Sequence, residues 1–465
     1  SMEHMKYTIT HSADKVIMFD DSFLPLVEAL YDSIKGSVSA FIYMSDKPGL
    51  PKTKIAPLYE YEELIKKQPK TYDWPDFSED TYAVLYYTTG TTGLPKGVMF
   101  THRQVFLQTL FGAASMGSRV HMPDDPPPTN DATPMMVVPL FHIHAWGAPF
   151  HLVFNATKVV FPGKFTPESF CKIVQAEKVR SASMVPTMLA MLLEYPDLDK
   201  YDLSSLQQIG TGGGALPLGL KRKAEKIFPK SRAGSGYGMT ETLAGVIGAT
   251  LKRNMVNWPQ EKIDAILVKT GIPGPGIDAR VVDENGKDIP RDNSTIGEIV
   301  LRGHWIMEQY YNEPEKTAVS WRDGWFHTGD AAKIDEDGYI AIADRITDVI
   351  RSGSEMVPTV LLENLTSNAD FVSEASYVGV PDEKWGELPM GLIRRSPGSK
   401  HTEEDVMKHL QKEGVDAGKI TKWMLPVYLC FVEDIPKTSV GKYDKIAIRK
   451  KTAEYVSKAK KMRNP

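Results

Sequence analysis

Residues 87–98 read Tyr-Thr-Thr-Gly-Thr-Thr-Gly-Leu-Pro-Lys-Gly-Val, a loop rich in glycine and threonine that ends near a lysine. The glycines allow the backbone to bend so that N–H groups converge on an anion, while the threonine hydroxyls and Lys96 add donors and a cation. Apolar runs at 83–87 and 98–100 predict a strand on each side. The sequence therefore predicts a phosphate-binding loop formed by Thr88, Thr89, Gly90, Thr91, Thr92, Gly93 and Lys96.

This loop differs from the P-loop of nucleotide kinases, which follows G-x-x-x-x-G-K-[ST] and leads from a strand into a helix. Here Lys96 follows Gly93 by three residues and precedes Gly97, and the chain continues into a second predicted strand. A flexible surface turn would explain the glycines, but it has no need of so many donors beside a lysine. Phosphate binding is the interpretation that uses all of these residues.

Three further motifs follow in the chain, at residues 236–241, 325–330 and 436–442. They read Gly236-Tyr-Gly-Met-Thr-Glu241, Trp325-Phe-His-Thr-Gly-Asp330 with Asp344-Arg345 downstream, and Pro436-Lys-Thr-Ser-Val-Gly-Lys442. Together with the loop at 87–98, and in this order, they resemble the adenylate-forming enzymes. That family includes acyl-CoA synthetases, luciferases and amino-acid-activating domains.

The resemblance implies that a carboxylic acid is joined to the AMP part of ATP, because AMP is a good leaving group and oxide is not. It implies that Lys442 reaches both the carboxylate and the α-phosphate, where negative charge builds up, and that Thr240 donates to the α-phosphate. Glu241, with Thr88, would hold Mg²⁺, a hard cation that prefers oxygen ligands. Lys437 reads as a surface lysine of the same loop as Lys442.

The nucleotide would be held by three further residues. By resemblance, Tyr237 stacks on adenine, Asp330 accepts hydrogen bonds from both ribose hydroxyls, and Arg345 assists Asp330. Read without the other motifs, a tyrosine between two glycines indicates a tight turn, and the pair Asp344-Arg345 indicates an ion pair. The nucleotide interpretation therefore depends on the four motifs together.

The acyl pocket is predicted from two segments. Pro139-Leu-Phe-His-Ile-His-Ala-Trp-Gly147 resembles medium- and long-chain fatty acyl-CoA synthetases and methylthiopropionate-activating relatives, in which the equivalents of His142 and Trp146 form a gate. In the same family the run at 210–215 lines the pocket, here with Gly212, Gly213 and Gly214.

Other interpretations of these two segments are weaker. The run at 210–215 fits a loose dinucleotide fingerprint, but no βαβ unit with a suitable acidic residue starts there. His142 and His144 could be a metal pair, although no third ligand with suitable spacing follows. Two histidines at a strand end are more often part of a pocket wall.

The CoA-dependent step is predicted from the segment after Arg345. In the family a small C-terminal domain rotates about a hinge that carries Asp or Lys, and the corresponding residue here is Thr347. The glycine pair beside the expected pantetheine channel is Gly353 and Ser354, so one glycine has gained a side chain. CoA transfer is therefore less firmly predicted than adenylation.

Composition limits the class of protein. The chain has 465 residues, a formal net charge of -4 and two cysteines, Cys171 and Cys430. The charge gives no reason to expect nucleic acid as a partner, and isolated cysteines fit a reducing, cytoplasmic compartment. The apolar stretch 137–154 contains three histidines and two prolines, which argues against a transmembrane segment. The basic tail leaves peripheral membrane contact open, and a homodimer is also left open.

The alternation of strand-like and helical patterns predicts an α/β fold. We expect strands at 135–140, 158–161, 181–185 and 206–209, and helices at 167–177 and 186–194. The predicted organisation is a large layered α/β domain over residues 1–346, whose part from 271 to 346 is β-rich, followed by a small mobile α+β domain over 347–465. Family members carry a further N-terminal segment, so we expect the first domain to be truncated.

The sequence thus predicts an acid–thiol ligase that uses ATP, Mg²⁺ and CoA to convert a hydrophobic carboxylic acid, such as a fatty acid, into its acyl-CoA. The first alternative is a ligase for an aryl or short thioether acid. The second is a non-catalytic remnant that binds nucleotide or acyl ligand. Retention of Lys442, Asp330 and Glu241 favours the enzyme.

Overall fold

The computed structural model describes residues 2–88, 94–117, 133–353, 355–438 and 441–464, without the side chains of residues 116, 117, 144 and 355. The helices are α1 Met2–His11, α2 Leu24–Ile34, α3 Tyr61–Lys66, α4 His102–Gly117, α5 Ile143–Trp146, α6 Ala148–Phe154, α7 Pro167–Glu177, α8 Pro186–Leu193, α9 Leu218–Ile227, α10 Gln260–Leu267, α11 Pro314–Ser320, α12 Thr359–Ser367, α13 Glu403–Leu410, α14 Lys445–Lys450 and α15 Thr452–Lys458. The strands are β1 Val16–Asp20, β2 Ala40–Met44, β3 Leu58–Glu60, β4 Tyr82–Thr88, β5 Lys96–Thr101, β6 Pro134–Met136, β7 Ser181–Met184, β8 Gln208–Thr211, β9 Arg232–Met239, β10 Ala244–Gly248, β11 Ile272–Pro273, β12 Ile277–Val282, β13 Gly297–Gly303, β14 Trp321–Arg322, β15 Trp325–Ile334, β16 Ile340–Arg345, β17 Ile350–Ser352, β18 Glu355–Val357, β19 Val372–Asp382, β20 Gly386–Arg395, β21 Tyr428–Phe431 and β22 Lys460–Lys461.

One compact unit comprises residues 1–103 and 307–317. It contains a parallel sheet of order β1-β2-β3 whose buried core includes Val27, Leu30 and Ile34 of α2. It also contains the antiparallel hairpin of β4 and β5. This hairpin confirms the two strands predicted around the phosphate loop, whereas residues 89–93 of the loop lie outside the described residues.

The second unit comprises residues 104–306 and 318–465. Its first sheet has the order β11-β10-β9-β8-β7-β6, with β6 to β9 parallel and β9 to β11 antiparallel. Helices α7 and α8 pack on this sheet through buried apolar residues. Parallel strands separated by helices are the layered pattern that the sequence predicted.

Local sequence signals explain which elements were predicted well. Helix α7 spans the predicted residues because Thr166 and Ser169 form a reciprocal capping box, Pro167 takes the first turn, and Lys178 ends the helix in a left-handed conformation. The strand expected at 135–140 is limited to β6, since Pro139 has no N–H for a sheet ladder. The strand expected at 158–161 is reduced to one bridge, between Val160 and Met135.

Two further sheets complete the second unit. One has the order β12-β13-β15-β14 with β16 paired to β15. The other has the order β18-β17-β20-β21-β22 with β19 paired to β20. Helices α12 and α13 pack on this last sheet around a separate apolar core. Among the described residues, no helix has both the length and the apolar character needed to cross a bilayer.

A buried ion cluster joins α9 to α10 beneath the sheet. The Lys221 side chain is 1% exposed and donates to Glu225 at 2.6 Å and to Asp264 at 2.8 Å. Glu225 also accepts from the backbone N–H of Ala233 at the start of β9. The pKa of Asp264, which burial alone would raise, is lowered by hydrogen bonds from Lys221 and Gln260. The cluster therefore fixes α9 and α10 against the strand that leads to the motif at 236–241.

Asp264→Ala should destabilise the fold by about 3 kcal/mol, because removing one partner leaves the Lys221 ammonium buried without one of its anions. Denaturant unfolding of the purified protein measures this change. Asp199→Ala, on an exposed turn, is the matched control and should change the free energy of unfolding by no more than about 0.5 kcal/mol. Equal effects of the two substitutions would contradict the structural role assigned to the cluster.

Candidate active site

Asp330 lies at the centre of the predicted nucleotide site. The antiparallel register of β15 and β16 places it opposite Arg345. Arg345 Nε lies 2.8 Å from Asp330 Oδ1, and the Tyr237 hydroxyl donates to Asp330 Oδ2 at 2.7 Å. The Asp330 and Tyr237 side chains are buried, whereas Arg345 is half exposed. The structure thus brings together three residues that the sequence predicted from motifs far apart in the chain.

The electrostatics of this group are those of a low-dielectric site. Burial raises the pKa of Asp330, against the opposing effects of the Arg345 charge and the hydrogen bond from Tyr237. Burial and the nearby Asp330 charge raise the pKa of Tyr237 well above its ordinary value. In such surroundings a hydrogen bond or ion pair to a polar ligand is stronger than it would be in water.

Lys442 extends towards the same group. Burial and the Arg345 charge lower the pKa of Lys442, and the charge of Asp330 partly offsets them. A Cβ atom added at Gly213, whose φ is +76°, would lie only 2.7 Å from Lys442 Cε and 3.3 Å from its Nζ. A side chain at position 213 would therefore occupy the path of the lysine. Gly213 lies beside Lys442, whereas the nearest atoms to a Cβ added at Gly214 belong to Pro186.

The loop that carries Lys442 is held at both ends. Lys437 Nζ lies 2.9 Å from Glu374 Oε2 and 3.0 Å from Asp434 Oδ1, and its side chain is 23% exposed. Lys437 is thus a structural anchor of the loop, and its interpretation as a surface lysine was wrong because its buried partner Glu374 is remote in sequence. At the other end, the Thr187 hydroxyl donates to the carbonyl of Gly441 at 2.7 Å.

Glu298 holds the irregular segment of β15 that presents Asp330, a role that sequence reasoning missed. Its carboxylate accepts the backbone N–H of Gly329 at 2.9 Å and lies 2.8 Å from His327 Nδ1. Thr328 fixes the same segment from within, since its hydroxyl donates to the carbonyl of Ile299 and accepts from the N–H of Asp330. Glu298 lies outside all four motifs, so only the pairing of β13 with β15 reveals it.

Thr240 and Glu241 follow β9 directly, in a short 3₁₀-helix over Thr240–Thr242. The Thr242 hydroxyl donates to the carbonyls of Met239 and Ala244, which fixes this turn. Glu241 is buried, and its negative charge contributes to the raised pKa of Asp330. Within the described residues no group of three or more His, Cys, Asp and Glu side chains could hold a metal ion.

The described ends of the predicted phosphate loop belong to the first unit. Thr88 pairs with Lys96 where β4 and β5 meet the loop. Lys96 Nζ donates to the Tyr310 hydroxyl at 2.8 Å and lies 4.1 Å from the centre of the Tyr310 ring. The Thr88 hydroxyl is buried and has no hydrogen-bond partner among the described residues. Thr89, Gly90, Thr91, Thr92 and Gly93 lie outside the described residues.

The predicted gate residues lie at the two ends of the short helix α5. His142 precedes α5 in a turn, where its N–H donates to the carbonyl of Pro139, and it is not at a strand end as the sequence suggested. Trp146 ends α5, and its ring centre lies 4.9 Å from that of Phe150 on α6. The side chain of His144 lies outside the described part of the structure, and so does the whole of Ser354. The interpretation of His142 and His144 as a metal pair therefore stays a prediction.

The predicted hinge region is tied to α14. Arg449 Nη1 donates to Asp348 Oδ1 at 2.6 Å, next to Thr347 in the chain. Gly353 has a φ of +64°, a conformation that favours glycine, and its N–H donates to the carbonyl of Trp385 at 2.7 Å. The Trp423 indole donates to the carbonyl of Ser352 at 3.0 Å. Two tryptophans thus bracket the loop at residue 353.

Solved structures match the fold. The anthranilate CoA ligase AuaEII, in complex with anthranoyl-AMP, aligns with a TM-score of 0.82 at 22% identity, covering 97% of this chain and 80% of the neighbour. The crystal structure of ATP-bound MatB from Rhodopseudomonas palustris aligns with a TM-score of 0.80 at 25% identity, covering 98% and 82% of the two chains. These matches confirm a mixed α/β fold with a large N-terminal domain and a smaller C-terminal domain.

Sequence comparisons match the same family. The AMP-binding enzyme family matches residues 1–311, and the AMP-binding enzyme C-terminal domain matches residues 361–442. The chain is 35% identical to a long-chain-fatty-acid–CoA ligase of Thermus thermophilus, covering 98% of this chain and 80% of the relative. It is 32% identical to a medium-chain-fatty-acid–CoA ligase of Ectopseudomonas oleovorans, covering 97% and 79%. It is also 32% identical to a 3-methylmercaptopropionyl-CoA ligase of Ruegeria lacuscaerulensis, covering 96% and 80%. The chain therefore belongs to the AMP-binding enzyme family and is an acyl-CoA ligase.

Proposed function

We propose that this ligase activates a hydrophobic carboxylic acid, most simply a fatty acid, as acyl-AMP and then transfers the acyl group to CoA. The observation that carries the proposal is the placement of Lys442 beside Gly213 and within the electrostatic reach of Asp330 and Arg345. Attack on a nucleotide α-phosphate needs a cation in a site that largely excludes water. The same site contains a carboxylate suited to binding ribose. The ATP-bound state of MatB supports ATP as the nucleotide.

The first half-reaction joins the acid to AMP. A carboxylate oxygen attacks the α-phosphorus, the bond between that phosphorus and the α–β bridging oxygen breaks, and pyrophosphate leaves. Negative charge grows on the α-phosphate oxygens as the new bond forms. Lys442 and Thr240 are proposed to stabilise this charge, because fixed donors in a site that excludes water need no reorganisation during the reaction.

Nucleotide binding is proposed to use the buried group around Asp330. Its carboxylate is held by Tyr237 and Arg345, and would accept hydrogen bonds from the ribose hydroxyls, with the Tyr237 ring against adenine. In the first unit, the Thr88 hydroxyl and Lys96 mark the ends of the loop proposed to bind the terminal phosphates. Glycine-rich loops of this kind bind phosphate through backbone N–H groups.

Mg²⁺ is proposed to be bound through Glu241. A buried carboxylate whose negative charge reaches Asp330 offers the hard anionic oxygen that this cation prefers. Mg²⁺ commonly uses one or two carboxylates together with substrate phosphates and water, so a dedicated cluster of protein ligands is not required. Bound there, the cation would neutralise phosphate charge and orient pyrophosphate for departure. Thr88 remains the second ligand that the sequence predicts.

The second half-reaction forms the thioester. The CoA sulfur attacks the acyl carbon of acyl-AMP, the bond from that carbon to the phosphate oxygen breaks, AMP leaves, and the thiol proton passes to solvent. We propose that the C-terminal domain turns about Thr347 between the two steps, since Lys442 is needed only in the first. The conformation of Gly353, next to Ser354, fits the close backbone approach expected along a pantetheine channel.

A hydrophobic acid is supported by the aromatic pair Trp146 and Phe150 and by the relatives that act on long- and medium-chain fatty acids. A short thioether acid is the second candidate, because a 3-methylmercaptopropionyl-CoA ligase is 32% identical. Pyrophosphate release measured over acids from acetate to palmitate, with methylthiopropionate and benzoate included, distinguishes these classes. A non-catalytic nucleotide-binding role predicts no pyrophosphate with any acid.

Lys442→Ala should slow acyl-AMP formation by roughly 10² to 10³-fold, the usual loss when one transition-state contact is removed. Transfer to CoA from supplied acyl-AMP should stay within about 2-fold of the unmodified enzyme, because the proposed rotation of the C-terminal domain removes Lys442 from the site before that step. Single-turnover assays of each half-reaction measure the two rates. Equal losses in both would contradict the role assigned to Lys442.

As pH rises, the rate of adenylation should fall at a lower pH than it would if Lys442 had the pKa of an ordinary lysine. Burial and the Arg345 charge lower the pKa of Lys442, so its positive charge is lost at a lower pH than that of an ordinary lysine as pH rises. The profile of kcat/KM for ATP, which reports the free enzyme, should therefore fall on its alkaline side. Lys442→Arg keeps its charge over this range and should lack that fall, whatever its absolute rate.

Trp146→Ala should change the profile of accepted acids more than it changes KM for ATP, because an indole at an apolar tunnel acts through its volume. The acid panel, run beside a melting scan, measures both effects. Phe106→Ala is the control, because Phe106 is an exposed aromatic on α4 and should alter neither. A loss of about 3 to 5 kcal/mol of stability with an unchanged acid profile would show that Trp146 is a packing residue only.

A further inference from the structure

The contact between Thr187 and Gly441 joins two parts of the chain that are 254 residues apart. Thr187 lies in the first turn of α8, and Gly441 immediately precedes Lys442. The Thr187 hydroxyl donates to the Gly441 carbonyl at 2.7 Å, and both residues are half-buried. A hydrogen bond to the peptide group beside Lys442 constrains the direction in which the lysine leaves the backbone.

Glycine at position 441 permits this close approach. Its φ is +79°, and a Cβ atom there would lie 3.2 Å from Thr187 Oγ1 and 3.2 Å from Val185 Cγ2. One residue further on, Lys442 passes over Gly213, which follows β8. The backbone before the lysine and the aliphatic part of its side chain are therefore both set by residues at the ends of neighbouring parallel strands, β7 and β8.

We propose that Thr187 is a positioning residue for adenylation. Through its hydrogen bond to the Gly441 carbonyl, Thr187 holds Lys442 in the correct position relative to the proposed nucleotide site. The inference rests on the proposed role of Lys442 and adds a residue that lies in none of the four motifs. Thr187 touches neither substrate nor the reacting atoms. Its effect is therefore on the rate of the first half-reaction, with little effect on ATP binding.

The other end of α8 carries a separate contact with the C-terminal domain. Glu194 accepts from Arg394 Nη2 at 3.0 Å and from the Ser373 hydroxyl. Gly219 at the start of α9 donates its N–H to Asn368 Oδ1 at 2.8 Å. None of these contacts uses the Thr187 hydroxyl, so we expect the domain to stay docked when that hydroxyl is removed. Thr187 then sets the local alignment of Lys442 within a docked arrangement.

Thr187→Val removes the donor and keeps the shape of the side chain, whereas Thr187→Ser keeps the donor. Thr187→Val should slow single-turnover acyl-AMP formation by roughly 5- to 10-fold, the factor that corresponds to one net hydrogen bond. KM for ATP and the transfer from supplied acyl-AMP to CoA should both stay within about 2-fold. Thr187→Ser should retain the unmodified rate within about 2-fold. Thr187→Ala replaces Thr187→Val if the latter does not fold.

A double-mutant cycle separates this role from general support of the fold. In the Lys442→Ala background, Thr187→Val should cause no further loss of acyl-AMP formation, because the positioned group is absent. A full additional loss there, or an equal loss in both half-reactions with a lowered melting temperature, would overturn the inference. Undiminished adenylation by Lys442→Ala alone would instead reject the proposed role of Lys442.

Discussion

Burial of the Asp330 carboxylate is the constraint on which the proposed nucleotide site depends. A carboxylate removed from water is costly unless donors replace its hydration, and here the Tyr237 hydroxyl and the Arg345 guanidinium replace part of it. Tyr237 reaches the carboxylate from β9, and Arg345 reaches it because the register of β15 with β16 places the two residues opposite each other. Glu298 and Thr328 then hold the irregular segment of β15 that precedes Asp330. The geometry offered to a nucleotide is thus fixed before any ligand arrives.

Asp344, the residue before Arg345, connects this site to the C-terminal domain. Successive side chains of a strand point to opposite faces, so Asp344 points away from Arg345. Asp344 Oδ2 accepts the N–H of Thr359 at 2.7 Å and its hydroxyl at 2.6 Å, which satisfies donors at the start of α12. Lys445 of α14 lies 3.8 Å from Asp344 Oδ1 and 3.0 Å from Glu363 Oε1. The strand that carries Arg345 is therefore linked to the helix that follows Lys442.

The features predicted from sequence are those whose causes are local. The hairpin of β4 and β5 and the bounds of α7 follow from short apolar runs and a capping box, and the motifs identified Asp330, Tyr237 and Lys442. The sequence could not identify Glu298 or Thr187, because each acts on a motif through a partner distant in the chain. The error at Lys437 has the same cause, since only tertiary packing brings the buried Glu374 to it.

The residues assigned to adenylation and those assigned to binding of the acid differ in how rigidly the fold holds them. The nucleotide residues Tyr237, Asp330 and Arg345 lie on strands of the sheets, and such elements hold reacting groups more precisely than loops do. The aromatic residues assigned to the acid, Trp146 and Phe150, lie on helices of four and seven residues. Short helices gain most of their stability from packing, so their side chains adjust to the volume that they enclose. Under the proposed function, acid selectivity can therefore change through α5 and α6 while the chemistry at the α-phosphate, assigned to Lys442 and Thr240, stays the same.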